Sequence, residues 1–135
     1  MYQFPDKRPV LRNPFAFRYP LNALLSIMHR LSGLAMVLLG GLAFVWGVWL
    51  VTVPESFEAL MRWAASPWAK IGWTLLALSF WWHWLTGLRH LIVEHQGFDH
   101  PSKAQATRQA NHRSALVLIG VFVFGAVLIV LGVWQ

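Results

Sequence analysis

Residues 31–53, LSGLAMVLLGGLAFVWGVWLVTV, run without a single charged side chain. At ~1.5 Å of rise per residue, a helix of that length crosses a ~30 Å hydrocarbon core. A second run, residues 115–134, is likewise uncharged. Between them lie residues 71–94, IGWTLLALSFWWHWLTGLRHLIVE, apolar apart from His83 near the middle and Arg89, His90 and Glu94 near one end. Backbone polar groups in lipid must be satisfied internally, which leaves helices as the economical solution for so short a chain. The expectation is an all-α integral membrane protein, a single domain over residues 1–135, with three transmembrane helices at about 21–53, 69–93 and 114–134.

Composition narrows the chemistry. Only 12% of residues are charged, against ~25% in soluble proteins. Nine Trp and nine Phe suit lipid contact and interfacial belts. The net charge of +6 does not indicate nucleic acid, because the basic residues flank the apolar runs, where they set topology and meet headgroups. The chain has no cysteine. That excludes disulfides, thiolate-held iron–sulfur clusters and covalent c-type attachment, so any haem is held by histidine or methionine alone.

Residues 1–20 hold four prolines with Lys7, Arg8, Arg12 and Arg18, which predicts a basic strap on the membrane surface rather than a helix. Pro54 ends the first span. The connection that follows is electrically balanced, and its SFEALMRWAA segment predicts a short interfacial helix. After the second span, Gly97 and Pro101 mark a polar connection, and His95, His100 and His112 are expected to be solvated there, since their spacing fits no metal motif. Gly120, Gly125 and Gly132 are expected packing positions in the third span. The N-terminal region and the second connection carry an excess of Lys and Arg, and the first connection carries none. By the positive-inside rule the N-terminus is cytoplasmic and the C-terminus periplasmic, in a bacterial inner membrane.

Two polar groupings then meet at the cytoplasmic boundary. In the first span Ser26, His29, Arg30 and Gly33 share a broad face that Gly40 extends. Arg30 either snorkels to phosphate headgroups or forms a polar site with its neighbours. In the second span, at 100° per residue, Gly72, Leu76, Ser79, His83, Gly87, His90 and Glu94 fall on one stripe. Polar groups at such depth face a bundle interior, a cavity or a cofactor, and Gly87 lets something flat approach the backbone. His83 lies seven residues, ~10.5 Å, deeper than His90. The two cannot ligate one haem iron from opposite sides, and counting from the membrane boundary makes His29 too shallow as well. His83 is therefore either a haem ligand that needs a second histidine from another chain, or a histidine hydrogen-bonded between helices.

Ser26-Ile27-Met28-His29-Arg30-Leu31-Ser32-Gly33 resembles the S-x-x-H-R-x-[ST]-G signature of the cytochrome b membrane-anchor subunits of succinate dehydrogenase, respiratory complex II. His83-x-x-x-Gly87-x-Arg89-His90 resembles that family's second signature, H-x-x-x-G-x-R-H. Order, spacing and layout agree over nearly the whole chain; Glu94-His95 stands where many relatives have an acidic residue followed by an aromatic one. The resemblance implies half of a heterodimeric helical bundle completed by a second anchor subunit. It implies that His83 is an axial ligand of haem b, the other ligand coming from the partner. It implies that His29, Arg89 and His90 lie near the haem propionates, and that Ser26 and Arg30 line a ubiquinone pocket. Partners would be an iron–sulfur subunit and a flavoprotein subunit, so that this chain is not an enzyme by itself. Two alternatives stay open: the anchor of a quinol:fumarate reductase, and a structural membrane protein without a cofactor.

Overall fold

The computed structural model describes residues 19–97 and 104–135, with the side chains of residues 93–97 and 104–108 outside the description. The strap expected over residues 1–20 falls almost entirely outside the described residues, as do His100 and the side chains of Glu94 and His95.

Four α-helices follow in order: α1 (Leu21–Thr52), α2 (Phe57–Ala64), α3 (Pro67–Gly97) and α4 (Ala104–Trp134). Prolines bracket α1. Pro20 is extended and precedes its first turn, and Pro54 opens the 3-10 turn that follows it, because a ring nitrogen cannot donate to the helical ladder. The short α2 lies where SFEALMRWAA places it, with an exposed Glu58–Arg62 pair at 3.5 Å. Ser66 caps α3, its Oγ accepting from the Ala69 backbone N–H at 3.3 Å, and Pro67 occupies the first helical position. α4 begins at Ala104, earlier than the expected boundary near 114.

The number of apolar spans differs from expectation. Among the described residues two helical segments, Leu21–Thr52 and Gln109–Trp134, are long and apolar enough to cross a membrane, not three. α3 is as long as α4, but Trp73, Trp81, Trp82, His83, Trp84, Thr86, Arg89 and His90 lower its hydropathy. The indole and imidazole nitrogens and the hydroxyl are polar groups in a segment whose length alone would suffice.

α3 is the central element. α1 and α4 each pack along it and touch each other little. The interior is small and polar as much as apolar: Leu25, Ala115 and Leu118 are buried together with Ser32, Thr86 and Arg89. Large apolar side chains point outward instead, among them Val37, Phe44, Val51 and Phe124. Such an apolar surface needs lipid or other chains around it. One end of the bundle carries a tryptophan belt of the kind found at a membrane interface. Trp46 packs between Trp63 and Trp73, with ring centroids 6.0 and 5.3 Å away. The Trp134 indole N–H donates to Thr74 Oγ1 at 3.1 Å and ties the end of α4 to α3. An apolar cavity of about 140 Å³ lies at this end, lined by Trp46, Trp63, Trp68 and Trp73.

Of the three glycines expected to mediate packing in α4, one does. A Cβ at Gly125 would stand 2.6 Å from Trp81 Cε2, whereas nothing lies within 4 Å of the corresponding point at Gly120 or Gly132. The α3–α4 contact is reinforced nearby by an edge-to-face pair of Trp82 and Phe122, centroids 4.8 Å apart. Gly125→Ala is expected to destabilise the protein by about 1–3 kcal/mol, because a rigid indole must move, while Gly120→Ala is expected to be near neutral. Thermal unfolding of both variants in detergent checks the contrast.

Candidate functional site

The polar residues that the sequence singles out on α1 and α3 meet between those helices. On α1, positions 25, 29 and 32 recur at helical spacing and turn toward α3. On α3, Gly72, Leu76, His83, Gly87 and His90 share the stripe that faces α1. The seam is traced by three observations: Gly72 and Leu76 line one cavity with Leu39 and Leu42, a Cβ at Gly40 would lie 3.9 Å from Leu76, and one at Gly87 would lie 3.4 Å from His29 Cε1. The flat group admitted by Gly87 is thus the His29 imidazole.

His83 is at the centre. Its Nδ1 lies 3.0 Å from the His29 backbone carbonyl and 3.2 Å from Ser32 Oγ. A carbonyl only accepts, so Nδ1 carries the proton. Ser32 Oγ–H is itself given to the same carbonyl at 2.7 Å, so its oxygen is a second acceptor for Nδ1–H. In the neutral ring Nε2 then holds the lone pair.

His29 is fixed by the same logic. Its ring stacks on His83 with centroids 3.9 Å apart and planes inclined by 16°. Its Nδ1 lies 2.7 Å from Thr86 Oγ1, whose hydroxyl proton goes to the Trp82 carbonyl at 2.7 Å. Thr86 therefore accepts from His29, and Nδ1 is again the protonated nitrogen. His90 completes a three-imidazole array, edge-on to His29 at 5.4 Å. The expectation that His29 is too shallow to serve as a second haem ligand rested on depth, and that ground is replaced here, since its carbonyl is bonded to His83 directly. The vertical offset between two antiparallel helices is set by packing, and a count from the membrane boundary misses it. Face-to-face stacking still prevents the two rings from pointing their nitrogens at one iron from opposite sides. Among the described residues, no group of three potential ligands could hold a metal ion.

Arg89 is buried where α1, α3 and α4 converge. Its Nη2 donates to Asn22 Oδ1 at 2.8 Å and to the Asn111 carbonyl at 3.0 Å, and its Nε donates to Ser114 Oγ at 3.2 Å. One guanidinium fork cross-links three helices, which an ammonium lacks the geometry to do. Arg89→Met is expected to lower stability by about 3 kcal/mol or more, because charge-assisted bonds worth roughly 1.5–3 kcal/mol each are lost together. A thermal melt checks this. If Arg89 served only a ligand, stability would stay at the wild-type value.

Ser26 and Arg30 stand apart from this cluster. Ser26 is half-buried and Arg30 exposed. His112 is exposed on α4. The sequence reading overlooks Asn22, Thr86, Asn111 and Ser114 as site-building residues, and Ser32 has no part in it beyond the signature. The signal available for Thr86 was its place one turn from both His83 and His90; for the others a lone polar side chain gives none.

One imidazole with a protonated, doubly accepted Nδ1 and a bare Nε2 is the arrangement found in metal-ligating histidines, where the hydrogen bond on the far nitrogen sets tautomer and basicity. The residues therefore fit a haem iron held from one side by this chain.

Residues 5–129 match the family described as succinate dehydrogenase/fumarate reductase transmembrane subunit. The succinate dehydrogenase cytochrome b556 subunit of Paracoccus denitrificans is 37% identical over 92 residues, which cover 64% of this chain and 67% of that protein.

Proposed function

This chain belongs to the succinate dehydrogenase/fumarate reductase transmembrane-subunit family, and from that premise we propose that it is the haem b-bearing membrane anchor of a succinate:ubiquinone oxidoreductase. The observation that carries the reading is the commitment of His83 Nδ1–H to the His29 carbonyl, which leaves Nε2 for iron. The name of the Paracoccus relative, a cytochrome b556 subunit, points the same way.

In this reading α3 crosses the membrane with α1 and α4. Its 31 residues suffice in length, and packing along both neighbours covers much of its polar stripe. The N-terminal strap and the α3–α4 connection face the cytoplasm of a bacterial inner membrane, and the tryptophan belt faces the periplasm. A second anchor subunit would pack on this chain and supply a second ligand to the haem iron. Flavoprotein and iron–sulfur subunits dock on the cytoplasmic side. The chain is not a catalyst alone.

A bound haem supplies one-electron storage beside the quinone site. His83 offers Nε2 to the iron, and the stacked His29 ring holds the imidazole plane. His29, His90 and Arg89 would lie near the haem propionates. Ser26 donates its hydroxyl proton to one ubiquinone carbonyl. Arg30 stabilises negative charge as it develops on quinone oxygen, in a site poor in water where such a contact is stronger than in solution. Succinate gives up two electrons and two protons to become fumarate, and ubiquinone takes up two of each to become ubiquinol.

Affinity purification of the chain from its native membrane in mild detergent tests the assembly. The expected product contains covalent or tightly bound flavin, iron–sulfur signals and succinate:ubiquinone reductase activity. Recovery of the chain without flavin and without that activity would support the structural alternative. A complex whose fumarate reduction by quinol exceeds succinate oxidation would support the fumarate reductase alternative.

A further inference from the structure

His83 packs on α1 at a place where that helix offers no side chain beyond a hydrogen. A Cβ at Gly33 would lie 3.0 Å from His83 Cε1 and 3.3 Å from Nδ1, tight enough that the ring would have to give by a few tenths of an ångström. The imidazole thus sits against the α1 backbone at its present distance because residue 33 is glycine. Once there, Nδ1–H meets two acceptors at once, the His29 carbonyl at 3.0 Å and Ser32 Oγ at 3.2 Å. Ser32 is itself oriented, because its own proton goes to that carbonyl at 2.7 Å and its lone pairs turn toward His83. Ser32 is 8% exposed, so water does not substitute for it.

We infer that Ser32 and Gly33 are positioning residues: with the His29 carbonyl they form a cradle that orients the His83 imidazole and sets its electron donation through Nε2. The inference rests on His83 being the haem ligand. Acceptors on Nδ1–H push negative charge into the ring and make Nε2 a stronger donor, which favours the oxidised iron. Removing acceptors therefore raises the haem reduction potential. Gly33→Ala pushes the ring outward by a few tenths of an ångström, lengthens both hydrogen bonds and gives an upward shift. Ser32→Ala removes one acceptor outright and gives a shift of the same sign. Ser32→Thr keeps the hydroxyl and returns the potential toward wild type.

The experiment is a redox titration of the haem in the purified four-subunit complex, with the electron paramagnetic resonance g-values of the oxidised haem recorded alongside. The expected result is an upward shift in potential and altered g-values in Gly33→Ala and Ser32→Ala at wild-type haem content, with rescue in Ser32→Thr. Unchanged potential and g-values in both variants overturn the cradle. If Gly33→Ala does not assemble, Ser32→Ala and Ser32→Thr carry the same test. Titration of His83→Ala separates this outcome from a failure of the ligand assignment: if that variant keeps the wild-type low-spin signal, His83 is not the ligand, whereas loss of the signal with insensitive Ser32 and Gly33 variants disproves the cradle alone.

Discussion

Replacing His83 by Ala is expected to abolish the low-spin haem b signal of the assembled complex. Among the described residues the imidazole is the group whose far nitrogen is anchored to backbone while the near one is bare, and the His29 ring, stacked face to face on it, is displaced from the position that His83 Nε2 holds. Haem quantified per flavin should fall, or any haem retained should become high-spin with a single histidine ligand. The helical pair itself should survive, since Arg89 still cross-links Asn22, Asn111 and Ser114. An unchanged low-spin spectrum in an assembled His83→Ala complex would return His83 to the role of a histidine hydrogen-bonded between helices.

The second large effect concerns Arg30 and Ser26. They lie one turn apart on α1, and the cation is the element whose replacement separates two readings. A guanidinium that only meets lipid phosphate is replaceable by Lys. One that holds a planar hydrogen-bond geometry on a quinone oxygen is not. Arg30→Lys and Ser26→Ala should each slow quinone reduction while leaving assembly, haem content and succinate oxidation by a water-soluble dye near wild type. A charged hydrogen bond worth roughly 1.5–3 kcal/mol corresponds to about 10- to 100-fold in rate if it acts in the limiting state. Normal quinone turnover in Arg30→Lys would make the residue a lipid anchor. Equal loss of both activities would indicate failed assembly.

Much of this architecture is legible in the sequence because membranes impose long, simple signals. Pro20 and Pro54 bracket α1, and the α3 stripe of Gly72, Leu76, His83, Gly87 and His90 faces α1 as its periodicity requires. What is not legible depends on two elements at once. The offset between antiparallel helices, which brings His29 to His83 instead of leaving it at the boundary, follows from side-chain packing along the seam. Ser32, Thr86 and Asn22 carry no periodic signal, and their roles emerge only when a partner stands within hydrogen-bond reach. The early start of α4 was hidden differently. AQATRQANH is polar and so reads as a loop, yet Ala, Gln and Arg are strong helix formers, and the helix continues through them. α3 was read as a span from length and context, although its tryptophans and histidines make it less apolar than α1 or α4.

The measurement that bears most directly on the whole account is a reduced-minus-oxidised optical spectrum of the wild-type complex, taken after addition of succinate and again after ubiquinone. The account predicts a b-type band at one haem per copy of this chain that appears with succinate and is bleached by ubiquinone. Complete absence of a b-type band from an intact, flavin-containing complex would contradict it.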